Sequence, residues 1–164
     1  MNKIDIWTDG SVNMKNGNKC AWAFICFLNG ELIYDKADLL YEDHRTGNIA
    51  EMSAIINSLK WLDEIIKKTD LDPTRFDVNV YSDSQYCIKG INEWIKNWKM
   101  KFFRGVKNRE YWEEFYSLAY EKHNYNSLTF NWVKGHSGIK ENEMVDALCY
   151  ELTKSDKSNN RKRV

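Results

Sequence analysis

Lys3 to Asp9 alternates, with Ile4 and Ile6 on one side and Lys3 and Asp5 on the other. That is the two-residue period of a half-buried strand, so a first strand is expected to close on Asp9. A polar stretch from Asn13 to Asn18, rich in turn chemistry, separates it from the run Cys20-Ala21-Trp22-Ala23-Phe24-Ile25-Cys26-Phe27-Leu28. This run is too continuously apolar for an exposed strand and predicts a buried one. Asn29-Gly30 is the strongest hairpin signal in the chain, so Glu31 to Ala37 should return antiparallel to it.

From Asn48 onward the period changes. Met52, Ile55, Ile56, Leu59, Leu62 and Ile66 recur at helical spacing, and Asn48, three residues before Glu51, can serve as the N-cap. A long helix is expected to begin near Glu51 and to end by Asp70-Leu71-Asp72-Pro73. Val78 and Val80 then alternate with Asp77 and Asn79 in a strand that runs into Tyr81-Ser82-Asp83. Ser84 to Trp98 and Tyr111 to Lys122 predict helices, and Leu128 to Val133 a last strand. Met144, Val145, Leu148, Cys149 and Leu152 form one face of a final helix, and the tail from Ser155, with Arg161-Lys162-Arg163, is expected to fray. Strands first, then alternating helices and strands, imply one α/β domain with a mixed sheet.

Composition adds exclusions. Apolar residues are 43% of the 164 and there is a single Pro, a globular composition. Twenty-four basic and twenty-four acidic residues cancel, so a polyanionic partner would have to be held by a local patch. Such a patch exists: Lys96, Lys99, Lys101, Arg104, Lys107 and Arg109 occur without an acidic residue among them, interleaved with Trp98, Phe102 and Phe103. Cys20, Cys26, Cys87 and Cys149 have no metal-ligand spacing and suit a reducing compartment. No apolar run approaches a membrane span, and the N-terminus lacks a signal core. A soluble, cytoplasmic monomer without membrane contact is expected.

The candidate chemistry is carboxylate chemistry. In open α/β sheets ligands bind beyond the carboxyl ends of the strands, where Asp9 and Asp83 are expected. Carboxylates brought together repel unless a cation lies between them, and Mg²⁺ is the hard cation that oxygen ligands suit. Each acid also has an ordinary role: Asp9 as a turn residue before Gly10, Asp83 as a helix cap, Glu51 as partner of Asn48 in a capping box, Asp146 as a solvated acid. His136, between Gly135 and Gly138, could be a plain loop histidine.

The joint pattern is more specific than its parts. Thr8-Asp9-Gly10-Ser11, Asn48-Ile49-Ala50-Glu51, Tyr81-Ser82-Asp83-Ser84-Gln85-Tyr86, the segment Gly90 to Trp98, Trp132-Val133-Lys134-Gly135-His136-Ser137-Gly138 and Asn142-Glu143-Met144-Val145-Asp146 stand in order along the chain. Together they resemble the type 1 ribonuclease H family over nearly the whole length. The resemblance implies a ribonuclease H-like α/β fold with a five-stranded mixed sheet of order 3-2-1-4-5, strand 2 antiparallel and helices on both faces. Residues 1–154 would be the catalytic domain and 155–164 a flexible basic tail. It further implies an endonuclease that cuts the RNA strand of RNA/DNA hybrids to give 5′-phosphate and 3′-hydroxyl ends. Asp9, Glu51, Asp83 and Asp146 would occupy the metal-ligand positions for two Mg²⁺, with Mn²⁺ a possible substitute, and His136 the mobile-loop histidine.

By the same resemblance Gly10, Ser11, Asn48 and Gln85 would contact the RNA side, where the 2′-hydroxyl is sensed. Tyr86, Trp94 and Trp98 would line a channel for the DNA strand, and Thr46 and Asn108 would belong to a DNA-phosphate pocket. The chain departs from the family in three places: His44-Arg45-Thr46 replaces the usual Arg-x-Thr, the basic handle is shortened between Trp98 and Val106, and the turn after Ser11 lacks a run of glycines. Two rivals remain open at this point, a non-catalytic hybrid-binding module on the same fold and a resolvase- or transposase-type nuclease.

Overall fold

The computed structural model describes residues 1–41 and 46–154. Five strands form one sheet: β1 (Asn2–Asn13), β2 (Lys19–Leu28), β3 (Glu31–Leu39), β4 (Phe76–Ser82) and β5 (Ser127–Trp132), in the order β3-β2-β1-β4-β5. β2 runs antiparallel to β1 and β3, while β1, β4 and β5 are parallel, as the sequence led us to expect. At the β2–β3 turn Asn29 (φ 50°) and Gly30 (φ 86°) both take positive φ, the twist that matches a tight hairpin.

The first strand does not close on Asp9. It continues to Asn13, with Asp9 paired to Ala23 of β2, whereas its pairing with β4 stops at Trp7 and Tyr81. The partner strand supplies ladder bonds that no local alternation announces, so Asp9 lies inside a strand yet beyond the end of the β1–β4 ladder.

Helix α1 (Gly47–Lys68) packs on β1 and β2 from one face, and α5 (Lys140–Lys154) covers β1, β2 and β3 from the other. The continuous apolar run of β2 follows from this. Cys20, Trp22, Phe24 and Cys26 join the core beneath α1, while Ala21, Ala23 and Ile25 meet Val145 and Cys149 of α5. A strand covered on both faces has no polar side to show.

α1 also starts earlier than its pattern suggests. Its N-cap is Thr46, whose Oγ1 accepts from Ile49 N at 3.2 Å, and not Asn48, which is exposed. Glu51 therefore completes no capping box and is turned inward. The helical stretch after β4 comprises α2 (Gln85–Lys89), a wide π turn (Gly90–Trp94) and α3 (Ile95–Met100). The π turn begins where the indole of Trp112, on α4 (Arg109–Tyr116), lies on Gly90; a Cβ there would sit 2.1 Å from the ring. A second π turn, Ser117–Glu121, extends α4.

α3 ends with two phenylalanines in left-handed backbone, Phe102 (φ 55°) and Phe103 (φ 57°). Each costs roughly 1 kcal/mol relative to glycine.

Candidate active site

Three carboxylates meet where the β1–β4 ladder ends. Ligand-capable oxygens of Asp9, Glu51 and Asp83 lie within 4.8 Å of one another, although the residues come from a strand, a helix and a loop. Gly10 makes the approach possible. A Cβ at this position would fall 2.4 Å from Glu51 N and 2.5 Å from the carbonyl carbon of Ala50, so only glycine lets β1 pass this close to α1. Its N–H donates to Glu51 Oε1, which fixes the glutamate next to Asp9.

Asp83 is free for the site because Ser84, not Asp83, caps α2: Ser84 Oγ accepts from Cys87 N at 3.1 Å. The Asp83 carboxylate is held instead by groups from the far end of the chain. Asn142, 3% exposed on α5, points its Nδ2 at Asp83 Oδ2 at 3.4 Å, and a Cβ on Gly135 would come within 2.8 Å of the same oxygen. Trp132 Nε1 donates to the Asp83 backbone carbonyl at 3.1 Å. Asp146 stands beside Asp9, close enough to share a proton with it, but outside the tight group of three.

Asp9 is 4% exposed and Glu51 9%, and no cation from Lys or Arg is paired with either among the described residues. Burial pushes the Asp9 carboxyl far above the ordinary carboxylate range, and the neighbouring charges of Glu51 and Asp83 push it further. Burial likewise raises Glu51; its contact with Asp9 works in the opposite direction, since the shared proton favours one ionised partner. Asp9 Oδ2 and Glu51 Oε2 are buried without a hydrogen-bond donor. Buried anionic oxygens left without donors are costly, and a divalent cation is the ligand that removes this cost. The residues fit a hard metal ion.

The remaining predicted residues divide into two groups. Thr46, Asn48 and Gln85 are exposed and Ser11 is half-buried, and His136 is exposed in the loop after β5 with φ 54°. Gly135 holds that loop against Asp83. Tyr86 and Asn108 form one unit: the Tyr86 hydroxyl accepts from Asn108 Nδ2 at 3.2 Å and from Trp112 Nε1 at 3.0 Å. Trp98 packs edge-on against Trp112, with ring centroids 5.0 Å apart, and Trp94 tilts on Trp98 at 5.9 Å. Together Tyr86, Trp94 and Trp98 wall a groove of about 390 Å³ whose other side carries Lys101, Arg104 and Lys107. Two further cations of the patch are paired, Lys99 with Glu121 and Arg109 with Glu113. His44 and Arg45 of the altered phosphate-pocket motif lie outside the described residues, as does the tail.

Sequence reasoning gave no part in the site to Trp112, and it read Gly135 only as a neighbour of His136 and Asn142 only as the start of the block that ends on Asp146, neither of them as a contact of Asp83. Asn142 carried one detectable signal, a polar residue that recurs at helical spacing with Val145 and Cys149 on the buried side of α5.

An acidic cluster that could hold a metal ion, at the carboxyl end of a parallel pair backed by an antiparallel hairpin, is the arrangement of the ribonuclease H-like class. The comparisons agree. The RNase H family model matches residues 1–154. Ribonuclease H of Ruthia magnifica subsp. Calyptogena magnifica is 38% identical over 155 residues, covering 91% of this chain and 94% of the relative. That of Legionella pneumophila (strain Lens) is 37% identical, covering 90% and 94%. Among solved structures, LC11-RNase H1 in complex with RNA/DNA hybrid superposes with a TM-score of 0.65 at 21% identity, covering 90% of this chain and 94% of that one. LC9-RNase H1 gives 0.71 at 20% identity, covering 92% and 72%. The chain belongs to the RNase H family of enzymes.

Proposed function

We propose that this chain is an endonuclease that hydrolyses the RNA strand of RNA/DNA hybrids, with two Mg²⁺ held by Asp9, Glu51, Asp83 and Asp146, Mn²⁺ being a possible substitute. The observation that carries the proposal is the cluster of Asp9, Glu51 and half-buried Asp83, in which Asp9 Oδ2 and Glu51 Oε2 are buried without a donor and which repels itself without a cation. Held by these carboxylates, two such ions would lower the pKa of the attacking water and stabilise charge on the departing 3′ oxygen, and the products would be 5′-phosphate and 3′-hydroxyl ends.

The chain's own residues orient and select. Gly10 and its bond to Glu51 set the carboxylate spacing, while Asn142 and Gly135 restrict the rotation of Asp83. His136, exposed on a loop flanked by glycines, would move a proton at the scissile phosphate. Gly10, Ser11, Asn48 and Gln85 present polar groups to the strand bearing 2′-hydroxyls. Tyr86, Trp94 and Trp98 receive the sugars of the DNA strand, and Thr46 and Asn108 one of its phosphates. LC11-RNase H1, which shares this fold, forms a complex with RNA/DNA hybrid, and this supports the choice of substrate. The four buried free thiols suit the reducing cytoplasm, and a monomer suffices because one chain supplies every residue named.

The test is cleavage of a labelled RNA/DNA hybrid, duplex RNA and duplex DNA in Mg²⁺, in Mn²⁺ and in chelator, with Asp9→Asn alongside. We expect metal-dependent cutting of the hybrid's RNA strand alone, abolished by Asp9→Asn. No hybrid cleavage under any condition would refute the proposal, and equally fast cutting of duplex DNA would favour a resolvase-type nuclease.

A further inference from the structure

Helix α3 closes with a Schellman motif: Phe103 N donates to Trp98 O at 2.7 Å, Phe102 N donates to Lys99 O at 3.0 Å, and Phe102 takes the left-handed position. Glycine ordinarily fills that position, because a Cβ makes left-handed backbone costly. Phe103 shares the strained conformation, but its ring is buried edge-on against Tyr116, and packing offsets its cost. Among the described residues Phe102 has no such compensation. Its side chain leaves the residue 70% exposed, although glycine would end the helix with less strain. Strain that the fold does not repay points to a ligand.

The surroundings define that ligand. From Lys96 to Lys107 the segment is wholly basic in its charges. It lines two depressions, the Tyr86–Trp94–Trp98 groove and a crevice of about 260 Å³ walled by Phe102, Phe103 and Tyr116. Lys99 and Arg109 stand at the crevice together with Glu121 and Glu113, the carboxylates that pair with them. The cations suit a phosphate backbone, and the paired carboxylates can accept from exocyclic amines. The crevice is far too small for a duplex but large enough for one planar base. A base inside a duplex has both faces covered by its neighbours, so only an unpaired one can offer a π face to Phe102.

We propose that Phe102 and its crevice form a second nucleotide site, which takes one unpaired nucleobase of a strand that continues beyond the hybrid as a single-stranded extension. This rests on the hybrid-nuclease function proposed above.

The test compares three hybrids of equal duplex length, one blunt, one with a single-stranded DNA extension and one with a single-stranded RNA extension. Kd is measured for the wild-type chain, Phe102→Gly and Phe102→Trp. With wild type, at least one extension should tighten binding about fivefold or more relative to the blunt hybrid; which one does so identifies the strand. Phe102→Gly should abolish that gain and Phe102→Trp keep it. The glycine variant should also raise Tm by about 2–4 °C, because the strain is relieved, and should leave the slope of log Kd against log salt unchanged, because no cation is lost. Absence of any gain in wild type, its persistence in Phe102→Gly, or a fall in Tm of that variant would overturn the proposal. Failure of wild type to bind or cut even the blunt hybrid would instead count against the hybrid-nuclease function.

Discussion

Replacing Asp9 with Asn should abolish activity and, in the absence of metal, make the protein more stable. The oxygens of Asp9, Glu51 and Asp83 lie within 4.8 Å of one another. Two full charges at that separation repel by about 3 kcal/mol at an effective dielectric constant of about 20. Proton uptake relieves part of this repulsion, since burial and the neighbouring carboxylates raise Asp9, and burial raises Glu51. A net gain of roughly 1–3 kcal/mol remains for the neutral isostere, equivalent to a rise in Tm of roughly 3–10 °C for a domain of this size. The pH dependence has a definite sign. Groups whose folded pKa is raised contribute stability that is fully present below the ordinary carboxylate value and is lost as pH rises toward the raised one. The advantage of Asp9→Asn should therefore be small near about pH 5 and large near about pH 8. Thermal melts in chelator at the two pH values measure it, and adding Mg²⁺ should narrow the gap by stabilising wild type alone. If Asp9→Asn melts at or below wild type at the higher pH in chelator, the carboxylates do not repel as their geometry requires.

Two further substitutions address the supports of the site. Thr46→Ala removes the side-chain cap of α1 and should cost about 1 kcal/mol in urea unfolding. Asn48→Ala, at an exposed position that caps nothing, should stay within about 0.5 kcal/mol of wild type while raising KM for the hybrid. Gly135→Ala would place a methyl group 2.8 Å from Asp83 Oδ2; the carboxylate can rotate away, so kcat should fall about tenfold or more with less than about 1 kcal/mol lost in stability.

How much of this was legible in the sequence depended on whether the cause was local. The alternation of Ile4 and Ile6, the Asn29-Gly30 turn and the helical period from Met52 to Ile66 each carry their own signal, and the structure has the corresponding elements. Strand order and the convergence of the acids required the family resemblance, because no periodicity specifies which strands pair. The departures have tertiary causes. β1 runs past Asp9 because β2 pairs with it, and α1 starts at Gly47 although Thr46 and Asn48 are both competent caps. Nothing near Gly135 in the sequence reveals that it must pack on a carboxylate more than fifty residues earlier. Phe102 is the sharpest case, since turn chemistry alone would have reserved a left-handed helix end for a glycine such as Gly105.

The extension of β1 beyond β4 also has a consequence for how the enzyme fails on heating. Asp9 sits on the middle strand of five, with its backbone still laddered to β2 at Ala23 and with β4 bonded to the same strand up to Trp7. No partial opening of an edge strand or of the handle can free that segment, so amide exchange around Asp9 should occur only through global unfolding. Heat would then erode the grip on substrate before it disturbs the carboxylates, and a warmed enzyme would lose affinity while its chemical centre remained assembled.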